Sequence, residues 1–498
     1  MAMRCAALLV LALSPLVAAR PAVVEIGSRK QLFLDDTVIA SSAHCARVWN
    51  QPTKYGGNPV LHGEKTWENW VAYPDGGPVV LYDEADRVFK MWYQSFADDP
   101  RTPEYDQRYI MCYATSRDGI VWEKPDLGEI EWGGSKHNNI VAIGNRGLID
   151  TNVIEDRRDP DAARRYKVLY YDTAASGGPV GVSVGFSPDG IHWNLHPGNP
   201  VLVGTGDTHT LLGWDDSVGR YVAYLRPKSG ARIGEGGARV RVIGRSTSAD
   251  FLHWNLPEVV LAPDAADPPD TQFYAMPVFR YEGHYIGLIW VFHTLPLVKD
   301  AQLAFSRDGV RWRRPACRPV FLPLGANGTW EDGMVNATTP FVHDDEIWIY
   351  YGGFNVLHNL TTQQTLGTVT GGRRREAAIG LAKLRLDGFA SLDAALDTAV
   401  VTTRSVRFEG ARLVLNIEPS MKGRGAVDEE TRFRVELADA AGKAFPGFSL
   451  AESADLAAGG LRAVASWSGR EDVRALAGRP VRLRFEFRNA KFYSFRFE

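Results

Sequence analysis

Five aspartates occupy equivalent places in this chain, each directly before an apolar run that is predicted to be a β-strand. They are Asp75, Asp150, Asp207, Asp270 and Asp332, and a threonine follows three of them, at Thr151, Thr208 and Thr271. Carboxyl groups that converge on one place raise one another's pKa, because two of them cannot comfortably ionise together. Such a set supplies what glycosidic cleavage requires, namely a protonated acid and an ionised nucleophile or base.

Two other interpretations of these aspartates stay open. An Asp-Thr pair before a strand can cap a turn, and five such caps can recur simply because each repeat has the same turn structure. Several carboxylate oxygens can also hold a calcium ion in a channel, an arrangement that is compatible with catalysis. No cofactor other than this calcium ion is considered, and no residues are predicted as metal ligands.

A sequence repeat sets the positions of the elements that carry these aspartates. Each copy begins with serine, continues through a turn and ends in tryptophan, at Ser116–Trp122, Ser187–Trp193, Ser246–Trp254 and Ser306–Trp312, with serine intervals of 71, 59 and 60 residues. Three copies contain Asp-Gly, which predicts a hairpin because glycine accepts a positive φ and aspartate bonds to nearby backbone. A repeat of this length indicates a stack of equivalent sheets. We therefore interpret the aspartates of these turns as structural.

Each repeat contains four short strands, and in the first they are predicted at Pro78–Asp83, Val88–Ser95, Tyr109–Ser116 and Val121–Lys124. A fifth unit lacks the serine-to-tryptophan turn but keeps its strands, between Pro340 and Asp387. Five units of four antiparallel strands predict an all-β chain with a five-bladed β-propeller. In that fold the inner strands line a central channel, so the five aspartates are expected at one mouth of it. The absence of amphipathic helical patterns argues against an α/β barrel.

The two ends of the chain have different patterns. Residues 1–19 combine an early arginine, an apolar run and small residues, which predicts a signal peptide and hence a secreted protein, periplasmic or extracellular. Residues 20–54 are predicted as an extended segment and residues 55–398 as the catalytic propeller. In residues 399–498 short runs of alternating apolar and charged residues predict a C-terminal β-sandwich.

Charge and cysteine content exclude several classes of partner. The net charge is −3 and no polybasic run occurs, so neither a nucleic acid nor a membrane is a predicted partner. Of four cysteines, Cys5 lies in the predicted signal peptide, which leaves Cys45, Cys112 and Cys317. An odd number without metal-ligand spacing argues against a disulfide framework and against zinc.

The chain resembles the five-bladed β-propeller glycoside hydrolases, in particular families 32 and 43. It is also similar to secreted proteins of planctomycete-type bacteria that have a C-terminal β-sandwich. Two motifs carry this closer resemblance, the Leu-Phe-Leu-Asp-Asp segment Leu32–Asp36 and the Tyr-Ser-Phe-x-Phe strand Tyr493–Phe497. The resemblance covers almost the whole chain after the predicted signal peptide.

In families 32 and 43 each of the first three blades contributes one carboxylate, and the resemblance implies three catalytic residues here. Asp75 would be the nucleophile or base, Asp150 would orient the site and tune its pKa values, and Asp207 would be the general acid. The match is partial, because the Arg-Asp-Pro of the second blade keeps only Asp150. The acid of the third blade, normally glutamate, is the shorter Asp207.

Side chains near the inner strands are candidates for substrate contacts, because rings stack on sugar faces and polar groups bind hydroxyls. Most aromatic residues in an all-β chain nevertheless fill the interfaces between sheets, and a buried histidine with satisfied hydrogen bonds is as good an interpretation of either histidine below. The candidates are Tyr73, Trp92, His209, Arg226, Asp270, Gln272, Tyr274, Trp290, His293 and Asp332.

Together these patterns predict a secreted glycoside hydrolase that acts on an oligo- or polysaccharide. A non-catalytic glycan-binding propeller is the alternative, and a propeller used only as a docking scaffold is a third class, since a fold alone does not choose among them.

Overall fold

The structure, a computed structural model, describes residues 23–71, 76–97, 108–145, 147–173, 178–228, 231–233, 238–358, 376–419 and 431–498. The predicted signal peptide lies outside these residues. The chain divides into two units, one formed by Arg47–Ser391 and the other by Leu392–Glu498 with the described residues up to Ala46. Strands dominate both units, and the predicted all-β chain with a β-propeller and a β-sandwich is confirmed.

The larger unit contains five groups of antiparallel strands, which we call blades 1 to 5. Blade 1 has the strands Trp70–Val71, Val79–Asp83, Val88–Ala97, Arg108–Ser116 and Ile140–Ile143. Blade 2 has Ile149–Glu155, Tyr166–Thr173, Val180–Ser187, Asn194–Leu195 and Leu202–Val203. Blade 3 has Thr205–Asp215, Arg220–Pro227, Ile243–Ser248 and Glu258–Leu261, with the hairpin Ala231–Ile233 and Ala238–Val240.

Blades 4 and 5 are joined by one parallel pair, between Lys299 and Met334. Blade 4 has the strands Thr271–Phe273, Val278–Tyr281, His284–His293, Val298–Ser306 and Val320–Leu322. Blade 5 has Met334–Ala337, Phe341–His343, Glu346–Phe354 and Ala377–Arg385, and its outer strands are Thr53–Lys54 and Leu61–His62. The chain therefore supplies the edge of blade 5 before it forms blade 1.

Each blade is connected to the next by a hydrogen bond from an aromatic side chain to a backbone carbonyl or, in one case, to a carboxylate. These bonds run from Trp92 to Gly190 (2.6 Å), Tyr221 to Asp156 (2.5 Å), Tyr224 to Gly309 (2.9 Å), Trp290 to Ala337 (2.7 Å) and Tyr350 to Gly119 (2.6 Å). Because the last of these bonds joins blade 5 to blade 1, the five groups surround one axis.

The repeated turns have one geometry that the spacing of the motifs predicts. In the first, Ser116 Oγ accepts the N–H of Gly119 (2.8 Å), and Asp118 Oδ1 accepts the N–H groups of Ile120 and Val121 (both 2.8 Å). In the third copy the equivalent serine is Ser248, which bonds to Asp250, and not the predicted Ser246. The aspartates of these turns satisfy local backbone donors, as a structural role requires.

The smaller unit is a β-sandwich with an apolar core between its sheets. One sheet has the strands Ile39–Ala43, Ala399–Thr403, Arg482–Arg488 and Arg432–Ala438, and the other includes Gln31–Leu32, Leu413–Pro419, Gly460–Val464 and Ala490–Phe497. A parallel pair joins Val23–Gly27 to Ser405–Phe408. The strands Ala46–Trp49 and Ala390–Ala394 contain the two points at which the chain passes between the units.

The two motifs that carry the closer resemblance meet inside this sandwich. Gln31 pairs with Phe495 and Leu32 with Ser494. The buried Phe33 ring lies 6.4 Å from the ring of the buried Phe495. Both motifs therefore contribute to the core of the smaller unit.

Candidate functional site

A cavity of about 180 Å³ lies between the inner strands, and residues of all five blades line it. Its polar lining includes Asp150 and Asn152 of blade 2, Thr210 of blade 3 and Thr338 of blade 5. Asp150 is the one ionisable side chain among the described residues that line this cavity. The cavity is the central channel that the repeat predicts.

Asp150 is held by hydrogen bonds from two neighbouring blades. Its N–H donates to Gln94 Oε1 of blade 1 (2.5 Å), and its Oδ2 accepts the N–H of His209 of blade 3 (2.6 Å). The residue is only 2 % exposed and has a φ of 54°. A non-glycine residue in this conformation is strained and persists where its surroundings over-determine it. Asp150 is therefore a residue fixed between the strand Val88–Ala97 of blade 1 and the inner strand of blade 3.

Gly76 lies directly against Asp150. A Cβ atom added at Gly76 would lie 3.3 Å from both Asp150 Cα and Gln94 Oε1, and the Gly76 carbonyl accepts a hydrogen bond from Asn336 Nδ2 of blade 5 (3.3 Å). Tyr73 and Asp75, which immediately precede this glycine, lie outside the described residues. Their predicted roles therefore stay predictions.

His209 is placed beneath Asp150 and away from solvent. Its side chain is fully buried, its Nε2 bonds to the Leu169 carbonyl (3.2 Å), and its Nδ1 lies 3.8 Å from Asp150 Oδ2. Burial lowers the pKa of His209 to about 4, so the imidazole is neutral at neutral pH. This placement argues against a sugar contact and favours the alternative of a buried histidine that supports its neighbour.

Asp207 has a different environment from Asp150. Its side chain is 39 % exposed and forms an ion pair with Arg226 of the same blade. Arg226 Nη1 is buried and has no hydrogen-bond partner among the described residues. A carboxylate paired with a guanidinium is favoured in its ionised form, which suits a base or nucleophile better than the predicted general acid.

Two of the predicted aromatic contacts are packed between blades. Trp92 is fully buried and bonds across to blade 2, and this placement argues against a substrate contact. Trp290 is also buried and bonds to blade 5, but it lines the cavity. Tyr274 is buried, with the cationic side chains of Arg226, Arg241 and Lys299 around its ring.

The remaining polar candidates lie near the starts of inner strands in blades 4 and 5. Gln272 Oε1 accepts a hydrogen bond from Arg241 Nη1 (2.7 Å). His293 Nε2 lies 2.9 Å from Asp300 Oδ2, and this hydrogen bond raises the pKa of His293. Asp270 accepts a long hydrogen bond, 3.4 Å, from the N–H of Leu295.

The acidic pair of blade 5 is divided between two environments. Asp332 accepts the N–H of Gly328 (2.7 Å) in a surface turn, whereas its neighbour Glu331 is buried and forms an ion pair with Lys54 (2.9 Å). Lys54 belongs to the outer strand of blade 5 that comes from the start of the chain. The buried carboxylate here is thus Glu331, which the sequence did not single out.

Sequence reasoning missed several residues that surround Asp150, notably Gln94, Asn152 and Asn336. Gln94 stands in a strand whose apolar neighbours predicted only packing, and Asn152 follows Asp150 at the alternating position of its strand. A polar residue within an otherwise apolar strand of a blade is the signal that could have identified them. No cluster of three or more His, Cys, Asp or Glu that could hold a metal ion occurs among the described residues.

No protein-family model and no curated protein matches the chain. The solved structures that resemble it include an N-acetylgalactosamine deacetylase from F. plautii in complex with blood group B trisaccharide, at 15% identity and a TM-score of 0.45 over 70% of this chain and 96% of that one. A glycosyl hydrolase from Bacteroides ovatus has 16% identity and a TM-score of 0.43, over 68% and 94% of the two chains. In the described residues no helix is long and apolar enough to cross a membrane.

Proposed function

We propose that the chain is a glycoside hydrolase whose reaction takes place at the mouth of the propeller channel, next to Asp150 and Asp207. One observation carries this proposal. The carboxylate of Asp150 lines the channel and accepts the N–H of His209, two residues after Asp207 on the neighbouring inner strand. Two carboxyl groups flanking one bond are what glycosidic cleavage uses.

The proposed roles follow the different environments of the carboxylates. Asp150, fixed by Gln94 and His209, orients the site and tunes the protonation of its neighbours. Asp207 is proposed as the acid, so Arg226 must turn away from it when a sugar binds, because the guanidinium opposes protonation. Asp75 is proposed as nucleophile or base from the sequence alone. The predicted signal peptide supports action outside the cytoplasm.

The test is a screen of the wild-type protein against aryl glycosides and plant or marine polysaccharides, followed by variants on any substrate cleaved. Asp75→Asn should lower kcat/KM by at least about 100-fold, because an amide can neither attack nor accept a proton. Asp150→Asn should lower it by a similar factor, because it removes the negative charge that orients the site and tunes the protonation of its neighbours. The matched control is Asp118→Asn, since Asp118 lies in an outer turn and accepts hydrogen bonds from Ser116, Ile120 and Val121 of that same turn. It should stay within about a few-fold of wild type. Equal activity of Asp150→Asn and Asp118→Asn would refute the site.

A non-catalytic glycan-binding propeller is the second candidate. The ion pair between Asp207 and Arg226 favours it, because a carboxylate held ionised is a poor general acid. Calorimetry on the wild-type protein separates the two. Binding of a glycan with no cleavage, even for substrates with an acidic leaving group, would replace the hydrolase proposal with this one.

A further inference from the structure

Three cationic side chains converge on the ring of Tyr274 in the larger unit. The Lys299 Nζ lies 4.2 Å from the ring centroid, and the guanidinium carbons of Arg226 and Arg241 lie 4.8 Å and 5.2 Å from it. Arg226 comes from the strand Arg220–Pro227 of blade 3, Arg241 lies just before the strand Ile243–Ser248 of the same blade, and Lys299 comes from blade 4. We call these three residues and Tyr274 the cationic cluster.

The cluster combines one buried lysine with two arginines whose guanidinium groups are more accessible. Lys299 is fully buried and Tyr274 is 3 % exposed, whereas Arg226 and Arg241 are half-buried. Arg226 reaches Asp207 with Nη2, and its Nη1 is buried with no hydrogen-bond partner among the described residues. Arg241 bonds to the neutral amide of Gln272. Arg226 therefore keeps a buried donor next to the one that bonds to Asp207, and the guanidinium of Arg241 lies against the same Tyr274 ring.

Charges that lie this close, in surroundings that exclude water, concentrate positive potential at one point. The planar fork of arginine matches carboxylate, sulfate and phosphate oxygens better than it matches a single hydroxyl. Recognition of neutral sugar hydroxyls does not require three cations around one ring. A sugar that bears an oxyanion does benefit from such a group, because its charge would otherwise lose its hydration on binding.

We propose that the cationic cluster is a subsite for an anionic sugar, one that carries a uronate carboxylate or a sulfate ester. This inference rests on the proposed function in that it places the anion on the glycan that the Asp150 site would process. The hexuronate or sulfated unit would lie over Arg226 and Arg241, with Lys299 beneath them adding its charge. Binding would also draw Arg226 from Asp207, as the proposed acid role requires.

The experiment measures binding by calorimetry, so it does not depend on catalysis. The probes are an oligogalacturonate, its fully methyl-esterified form, which has the same sugars without the charge, and a sulfated galactan oligosaccharide. The wild-type protein should bind one of the two anionic probes at least about tenfold more tightly than the ester, and added salt should weaken that binding. The anionic probe that binds identifies the source of the oxyanion.

Arg241→Gln should reduce the affinity for that probe about tenfold, with no change for the ester. The control is Arg239→Gln, because Arg239 is exposed on the same segment. Lys299→Gln is a second variant, interpreted only if its circular dichroism matches wild type. Equal binding of the ester and the acidic probes, equal effects of Arg241→Gln and Arg239→Gln, or binding of inorganic sulfate without either acidic sugar would overturn the proposal.

The outcomes separate this inference from the proposed function. Hydrolysis of neutral glycans with no preference for acidic ones would leave the hydrolase standing and remove the anionic subsite. Tight binding of an acidic probe that is never cleaved would support the subsite and contradict the hydrolase.

Discussion

Asp150 and Asp207 lie on neighbouring inner strands but have opposite surroundings. The first is buried in a strained backbone conformation and accepts the His209 N–H, while the second is partly exposed and faces a guanidinium. Different environments are how one fold gives two carboxylates different roles. The buried imidazole of His209 beneath Asp150 adds a third group, whose protonation the fold resists because of burial.

We predict that His209 makes the stability of the propeller pH-dependent. Its pKa is about 4 in the folded protein against 6.5 ordinarily, so below about pH 6.5 the unfolded chain binds a proton that the folded chain does not. The free energy of unfolding should therefore fall between about pH 6.5 and pH 4, by about 2–3 kcal/mol. Urea unfolding followed by tryptophan fluorescence at pH 7.5 and pH 4.5 measures it.

His209→Gln should flatten this pH dependence, because glutamine does not titrate. The exposed His137 provides the control substitution, His137→Gln, which should keep the wild-type slope. A slope that is the same in wild type and both variants would show that other groups cause it.

At the scale of elements, the repeated turns pack their glycines against an aromatic ring of the preceding blade. Gly190 has a φ of +83°, and a Cβ there would lie 2.5 Å from the Trp92 ring. Gly119 and Gly309 have the same relation to Tyr350 and Tyr224, at 2.7 Å and 2.9 Å from the hydroxyl oxygens. The glycine thus serves two purposes, the left-handed turn and the close contact between blades.

Gly190→Ala should destabilise the propeller by about 2–4 kcal/mol, because it adds a clash with Trp92 to the strain of a positive φ. Gly134→Ala separates the two causes, since Gly134 has a φ of +80° with no atom within 4 Å of an added Cβ. That variant should lose only about 1 kcal/mol. Chemical denaturation of both measures the difference, and equal losses would mean that the ring contact contributes nothing.

At the scale of the propeller, closure of the ring depends on a segment far away in the chain. Asn58 lies between the two outer strands of blade 5 and binds the backbone of Leu381, donating to its carbonyl and accepting its N–H (both 2.9 Å). It also donates to the hydroxyl of Tyr351 (3.1 Å). The Asn58 side chain therefore makes the hydrogen bonds to the strand Ala377–Arg385 that a backbone strand would otherwise make, in the part of the segment between its two short strands.

Asn58→Ala should lower the free energy of unfolding of the propeller by about 1–3 kcal/mol, because it leaves the N–H of Leu381 without its acceptor, while the Leu381 carbonyl keeps its hydrogen bond from the N–H of Tyr55 (2.8 Å). It should also speed proteolytic cleavage near residues 53–62, which limited digestion detects. Gln51→Ala is the control, since Gln51 is exposed and donates a hydrogen bond to the carbonyl of Val320, outside blade 5. If both variants were as stable as wild type, the contribution of Asn58 to closure would be disproved.

The strands and turns of the propeller were predictable because their signals are local. The bonds from Ser116 and Asp118 to the following N–H groups join residues within three positions of one another. Alternation of apolar residues likewise identified the sandwich strands. The position of Asp150, directly before the apolar part of an inner strand, was a local signal of the same kind, and it is why the sequence indicated this residue as a candidate.

Contacts between blades could not be predicted in this way, because each joins residues that the sequence separates widely. The burial of His209, the choice of Glu331 over Asp332 for the buried acid, and the meeting of Arg226, Arg241 and Lys299 all depend on which strands become neighbours. So does the closure of blade 5, where Asn58 and Leu381 are 323 positions apart.

Turn chemistry and the alternation of apolar residues depend only on neighbouring residues, and by themselves they determined the repeat and its strands. The surroundings of each charged group were decided only when the tertiary structure brought separate blades together, since burial and pairing of a charge depend on every element around it.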